Sequence, residues 1–175
     1  MSEKKKSFND FYEIKVKDIM QTTKSELPCV DERADTTHVF SILQSKDHIW
    51  VLDSLESQRL VGVISESDTL MFLSPPITSL QSFDKPDPRS MQYGIPITAE
   101  EIMSKNPVTI PPDETIRDVL LRMREQNVKQ LAVVDEHKIL IGEITIHQLI
   151  TRYHEDFNTN ETLGSDEKNS ENQNL

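Results

Sequence analysis

A single cysteine, Cys29, stands among 175 residues. That excludes an internal disulfide and a thiolate zinc cluster, and leaves the side chain the role of a small buried hydrophobe. Glycine is as scarce, four in all, so no glycine-rich phosphate loop can be drawn. No apolar run approaches the ~18 residues of a membrane span, and no apolar signal segment follows Lys4, Lys5 and Lys6. The expectation is a soluble, cytoplasmic protein with no membrane association. Positive charge is also short: the formal net charge is -11 and the pI about 4.9. A general nucleic-acid binder needs a basic footprint and is thereby disfavoured. The five histidines show no H-E-x-x-H or comparable spacing, so no metal site is expected. Apolar residues make up 35%, low for a globular chain, and polar ends account for much of the deficit.

What is present is a repeat. Leu60, Val61, Gly62, Val63, Ile64, Ser65 and Asp68 return eighty residues later as Leu140, Ile141, Gly142, Glu143, Ile144, Thr145 and Gln148. Each apolar run predicts a strand, and Ser65 or Thr145 is placed to cap the helix behind it. Asp68 or Gln148 can complete a capping box. The same arrangement of strand end, hydroxyl and helix N-terminus can also hold an anion. An acid one turn in can accept both hydroxyls of a ribose, which an uncharged glutamine does less well. Gly62 and Gly142 stand at equivalent places and read as points of close backbone packing.

Upstream, Asp18-Ile19-Met20 and Glu101-Ile102-Met103 open the two copies. Short strands follow at Cys29 and Val30 or at 108–110. Then comes a helix whose buried stripe is Thr36, Val39, Phe40 and Leu43, matched by Ile116, Val119, Leu120 and Met123. Two more strands complete each unit, 49–52 with 60–64 and 131–134 with 139–144. The fold class is therefore α+β: two β-α-β-β-α motifs packed with pseudo-two-fold symmetry. The expected organisation is a flexible arm over 1–13, a first motif over 14–73, a proline-rich linker over 74–98, a second motif over 99–155, and a disordered acidic tail over 156–175. Five of the nine prolines fall in that linker, and the tail has too few apolar residues to offset its ordering entropy.

The openings, Asn106-Pro107-Val108-Thr109-Ile110, Leu131-Ala132-Val133-Val134-Asp135, and the Gly62 and Gly142 strands together resemble CBS domains, and the whole resembles a tandem CBS pair, or Bateman module. The resemblance covers roughly residues 14 to 155. It implies a regulatory module that binds an adenine nucleotide or adenosyl ligand in clefts between the motifs. Carried onto this chain, it implies a first site with Leu27, Pro28, Cys29 and Val30 beside the base, Ser65 toward phosphate and Asp68 on ribose. Lys129, with Gln130 beside it, would reach across to the phosphate. A weaker second site would use Thr109, Ile110, Thr145, Gln148 and His48, with Gln148 in place of the aspartate. Ala132 and Trp50 stand where a proline is common in the family.

One obvious cation favours AMP over ADP or ATP, with another adenosyl compound also compatible. Arg122 and Arg124 would add charge only if they face the cleft. The expected mode of action is a sensor without cofactor or enzymatic activity, signalling through an effector protein of unknown identity or through a homodimer. The alternative is a nucleotide-free interaction scaffold.

Overall fold

A computed structural model describes residues 7–22, 26–73 and 97–158. Lys4 to Lys6, most of the expected linker and most of the expected tail lie outside the described residues. Among the described residues, two three-stranded sheets form. The first contains β1 (Cys29–Asp31), β2 (His48–Leu52) and β3 (Leu60–Ser65), in that order across the sheet; the second contains β4 (Thr109–Ile110), β5 (Gln130–Val134) and β6 (Leu140–Thr145). In each, the first pair is parallel and the second antiparallel. The helix α2 (Thr36–Leu43) or α5 (Ile116–Gln126) supplies the parallel crossover, and α3 (Glu66–Leu73) or α6 (Ile146–Asn158) closes the unit.

Alternation along the strands sorts the side chains into layers. Val30, Ile49, Val51 and Ile64 pack under the first sheet with Val39 of α2, and Ile110, Leu131, Val133 and Ile144 pack under the second with Val119 and Met123 of α5. The opposite faces meet each other: Leu27, Trp50, Leu52 and Leu60 pack against Ala132, Val134 and Leu140. Reciprocal bonds from Leu60 N–H to the Lys138 carbonyl (3.0 Å) and from Leu140 N–H to the Gln58 carbonyl (2.9 Å) tie the hairpins together near the pseudo-two-fold axis. Gln58 and Lys138, exact equivalents in the repeat, both take positive φ there, 58° and 63°.

The opening segments cross over. Val16, which starts a single 3-10 turn over Val16–Asp18, is buried in the core of the second repeat, with the half-buried Ile19 and Met20 packed against that core. Gln21 then pairs with Glu143 on the edge of β6, with bonds of 2.9 and 3.0 Å. Symmetrically, α4 (Ala99–Ile102) and Met103 complete the core of the first repeat, and Ser104 pairs with Val63 on β3 at 2.9 and 3.1 Å. Each copy is thus finished by the opening of the other, which the order of the sequence alone does not disclose.

The arm expected to be flexible contains a helix, α1 (Phe8–Tyr12), held by a Ser7 and Asp10 capping box. Phe11 is buried, and Phe8 stacks on Phe157 with ring centres 4.7 Å apart. This aromatic contact also explains why α6 runs past the predicted end near Tyr153.

Candidate ligand site between the repeats

The side chain three residues on reaches back to the cap N–H in both copies, and the second forms the reciprocal box. The Asp68 carboxylate accepts from the Ser65 N–H and hydroxyl, both at 2.7 Å. In the second copy the Gln148 amide oxygen accepts from the Thr145 N–H at 2.7 Å, and the Thr145 hydroxyl accepts from the Gln148 N–H at 3.3 Å. The other oxygen of Asp68 accepts from the hydroxyl of Ser104, 3.2 Å away. Asp68 is half-buried and takes hydroxyls from both repeats, since Ser104 belongs to the opening of the second.

The expected groupings are redistributed by this crossing. Residues 27–30 lead into β1 and Ser65 ends β3, on opposite edges of one sheet with β2 between them, so strand spacing alone separates them by roughly 10 Å. What flanks Ser65 and Asp68 is the lead of the second copy, which runs from Ser104 to Thr109. What flanks β6 and Thr145 is the lead of the first, described at Gln21 and Thr22 and again from Glu26 to Cys29. Val30 and Ile110 point away from the space between the sheets, into the two outer cores, because alternation turns every second side chain from that face. Leu27 and Pro28 are buried, and the Pro28 carbonyl accepts from the Trp50 N–H at 2.7 Å.

Lys129 is exposed, and its carbonyl accepts from the Ile146 N–H (2.8 Å) at the start of α6. Gln130 pairs with Thr145 as His48 pairs with Ser65. Arg122 is half-buried and donates to the Thr109 carbonyl at 2.6 Å, fixing the edge of β4, whereas Arg124 is exposed. His147 and His154 are both exposed, and no group of three metal-binding side chains occurs among the described residues.

One buried acid between the repeats is not foreseen in the sequence. Glu143 is 8% exposed, and its carboxylate accepts from the Trp50 indole N–H at 2.7 Å and lies 2.9 Å from His48 Nε2. Burial pushes its carboxyl up, but the hydrogen bonds from His48 and Trp50, with the charges of His48 and Lys46, outweigh burial and hold it below the usual carboxylate range. Cys29 lies at the same end; burial, and then the Glu143 charge, push its thiol up to about 12. The available signal was a mismatch between copies, Glu143 standing where the first has Val63.

Residues 16–75 and 99–155 each match the CBS domain family. This chain belongs to that family and carries the domain twice, as a tandem CBS pair. Over 138 residues, 78% of this chain and 37% of the relative, it is 28% identical to the uncharacterized protein RP505 of Rickettsia prowazekii. Over 141 residues it is 25% identical to a homoserine O-acetyltransferase of Methanosphaera stadtmanae, covering 79% of this chain but 24% of that enzyme. The chain thus spans little more than a third of the longest-covered of these relatives. Among solved structures, the CBS pair of protein MJ0100 with 5′-methylthioadenosine and S-adenosylmethionine aligns at a TM-score of 0.59, with 24% identity over 80% of this chain and 99% of that one. CBSX2 in complex with AMP aligns at 0.63, with 20% identity over 81% and 96% of the two chains. The CBS domain of a bacterial CNNM/CorC family magnesium transporter with ATP aligns at 0.60, with 19% identity over 81% and 88%. These likenesses show the fold. No helix among the described residues is long and apolar enough to cross a membrane.

Proposed function

We propose that this CBS pair is a regulatory sensor that holds an adenosyl ligand, AMP foremost, in the crevice where Ser65 and Asp68 of the first repeat meet the lead into β4 of the second. The observation that carries the reading is the Asp68 carboxylate, which already accepts from the Ser65 and Ser104 hydroxyls at 2.7 and 3.2 Å. A ribose diol asks for the same acceptor geometry. Thr109 is half-buried beside this crevice in the place Cys29 holds at the other end, and the helix start at α3 favours a negative charge such as a phosphate. Lys129 and Gln130, at the start of β5, supply the nearby polar side chains of the second repeat. Pairs of the same fold have been solved with AMP, ATP and adenosyl compounds, which supports the class of ligand. A chain of net charge -11 favours one phosphate over three. Ligand binding changes the relation of the repeats only if it prefers one arrangement. The output passes to a protein partner or to a second copy in a homodimer, without catalysis by this module.

Calorimetric titration with AMP, ATP and 5′-methylthioadenosine tests this. Asp68→Ala should weaken binding by roughly 10- to 150-fold, the worth of hydrogen bonds to a charged group. The fold should survive, because losing a capping side chain costs about 0.5 to 2 kcal/mol. Unchanged affinity in a folded variant would place the ligand elsewhere. Absence of heat and of thermal shift with all three compounds would leave the interaction scaffold as the better account.

A further inference from the structure

The pseudo-two-fold axis relates two ends of the space between the sheets, yet their side chains differ in size and charge. Trp50 pairs with Val63 in the first sheet, and Ala132 pairs with Glu143 in the second. The crossing of the repeats therefore sets Ala132 and Val63 at one end and Trp50 and Glu143 at the other. The first end is bordered by Asp68. At the second, a carboxylate extends from β6 across to β2 and is clamped there by the buried indole and imidazole. Glu143 also feels Lys46, whose ammonium donates to the Glu26 carbonyl at 3.3 Å. Glu26 in turn accepts from the Gln21 side chain, so the lead of the first repeat is drawn over the same end.

We propose that Glu143, held by Trp50 and His48, is a built-in occupant that shuts the crevice between the first repeat's lead and Thr145, so that the module takes one adenosyl ligand and not two. The stoichiometry rests on the site proposed at Asp68; the closure does not. A second consequence is selectivity: an acid at the shut end repels any phosphate that approaches it, so the two crevices cannot act as equivalent nucleotide sites.

Cys29 borders the shut crevice and is the sole cysteine, which makes it a reporter independent of any ligand. In the wild-type protein at about pH 8, iodoacetamide should alkylate it at least roughly a hundredfold more slowly than in urea, because the half-buried thiol stays protonated. Trp50→Ala leaves the Glu143 charge in place but removes the indole that clamps it across the crevice, and should raise the native rate at least about tenfold. The double variant Trp50→Ala, Glu143→Val copies the open end and should move an AMP or methylthioadenosine titration from one equivalent to two. Two equivalents bound by the wild type would overturn the proposal. So would an unchanged alkylation rate in a Trp50→Ala protein with native circular dichroism. If removal of the indole unfolds the chain, Glu143→Ala and Glu143→Gln serve in its place: both lose the charge that raises the thiol, so severalfold faster alkylation in the alanine variant than in the glutamine one supports closure, and equal rates reject it. A wild type that binds neither compound defeats the Asp68 site, while alkylation still decides whether this end is shut.

Discussion

Glu143→Ala should lower the free energy of unfolding by about 2 to 5 kcal/mol, read from urea denaturation at neutral pH. Two buried donors, the Trp50 indole N–H and His48 Nε2, share this one carboxylate. Its removal leaves both without their acceptor in a space that small side chains do not refill. Glu143→Gln keeps one acceptor oxygen and nearly the same volume, so its loss should be less than half as large. The pH dependence has a definite sign. Because the folded protein holds this carboxyl below its ordinary range, the stability it contributes is fully present above the unfolded value near ~4.3. It is lost as pH falls through the lower folded value. Wild-type stability should therefore decline on the acid side more steeply than that of Glu143→Gln, and parallel curves for the two proteins would refute the assignment.

Gly142→Ala should cost about 1 to 3 kcal/mol, as overpacking in a rigid place does. A Cβ at position 142 would lie 2.6 Å from the carbonyl oxygen of Gln21, a main-chain atom held by its own pairing with Glu143. Gly62→Ala meets the side chain of Met103 instead, which can rotate aside, and should cost less. Thermal unfolding should separate the two, with the melting temperature falling by roughly 2–4 °C per kcal/mol for a domain of this size. A larger loss at Gly62 would mean that the Met103 thioether is the less yielding neighbour.

The doubled architecture was legible because its signals are local. β-Branched runs at 60–64 and 139–144 announce strands, and the stripes at Val39 and Val119 announce buried helix faces. The hydroxyl and acid or amide spacing at Ser65 and Thr145 announces the caps, and all of these appear in the structure. The close packing expected at Gly62 and Gly142 is also present, although only the structure shows that what approaches is the other repeat's opening. Partnership across the repeats was illegible for a physical reason. Val16 and Ala99 suit either core equally well by size and polarity, and nothing in their own sequence records which sheet edge they will reach. The grouping of 27–30 with Asp68 was implied by the family resemblance, and nothing in those residues' own sequence could correct it. Glu143 was hidden by its pattern: one polar residue between Gly142 and Ile144 fits the outward face of a half-exposed strand, and here that face meets another sheet. Phe8 and Phe157, far apart in sequence, likewise gave no sign that they would join.

The crossed openings bear on how the molecule could be divided. A fragment ending before Ile97 would lack the strap that finishes its own sheet and would carry one cut for its sister. Two such fragments made separately should remain poorly ordered and then recover the native circular dichroism on mixing, as complementing halves. Grafting residues 97–104 ahead of residue 26 would give the first half its own strap and should let it fold unaided. In this sense the protein is stitched rather than joined, and a nick between its halves need not part them.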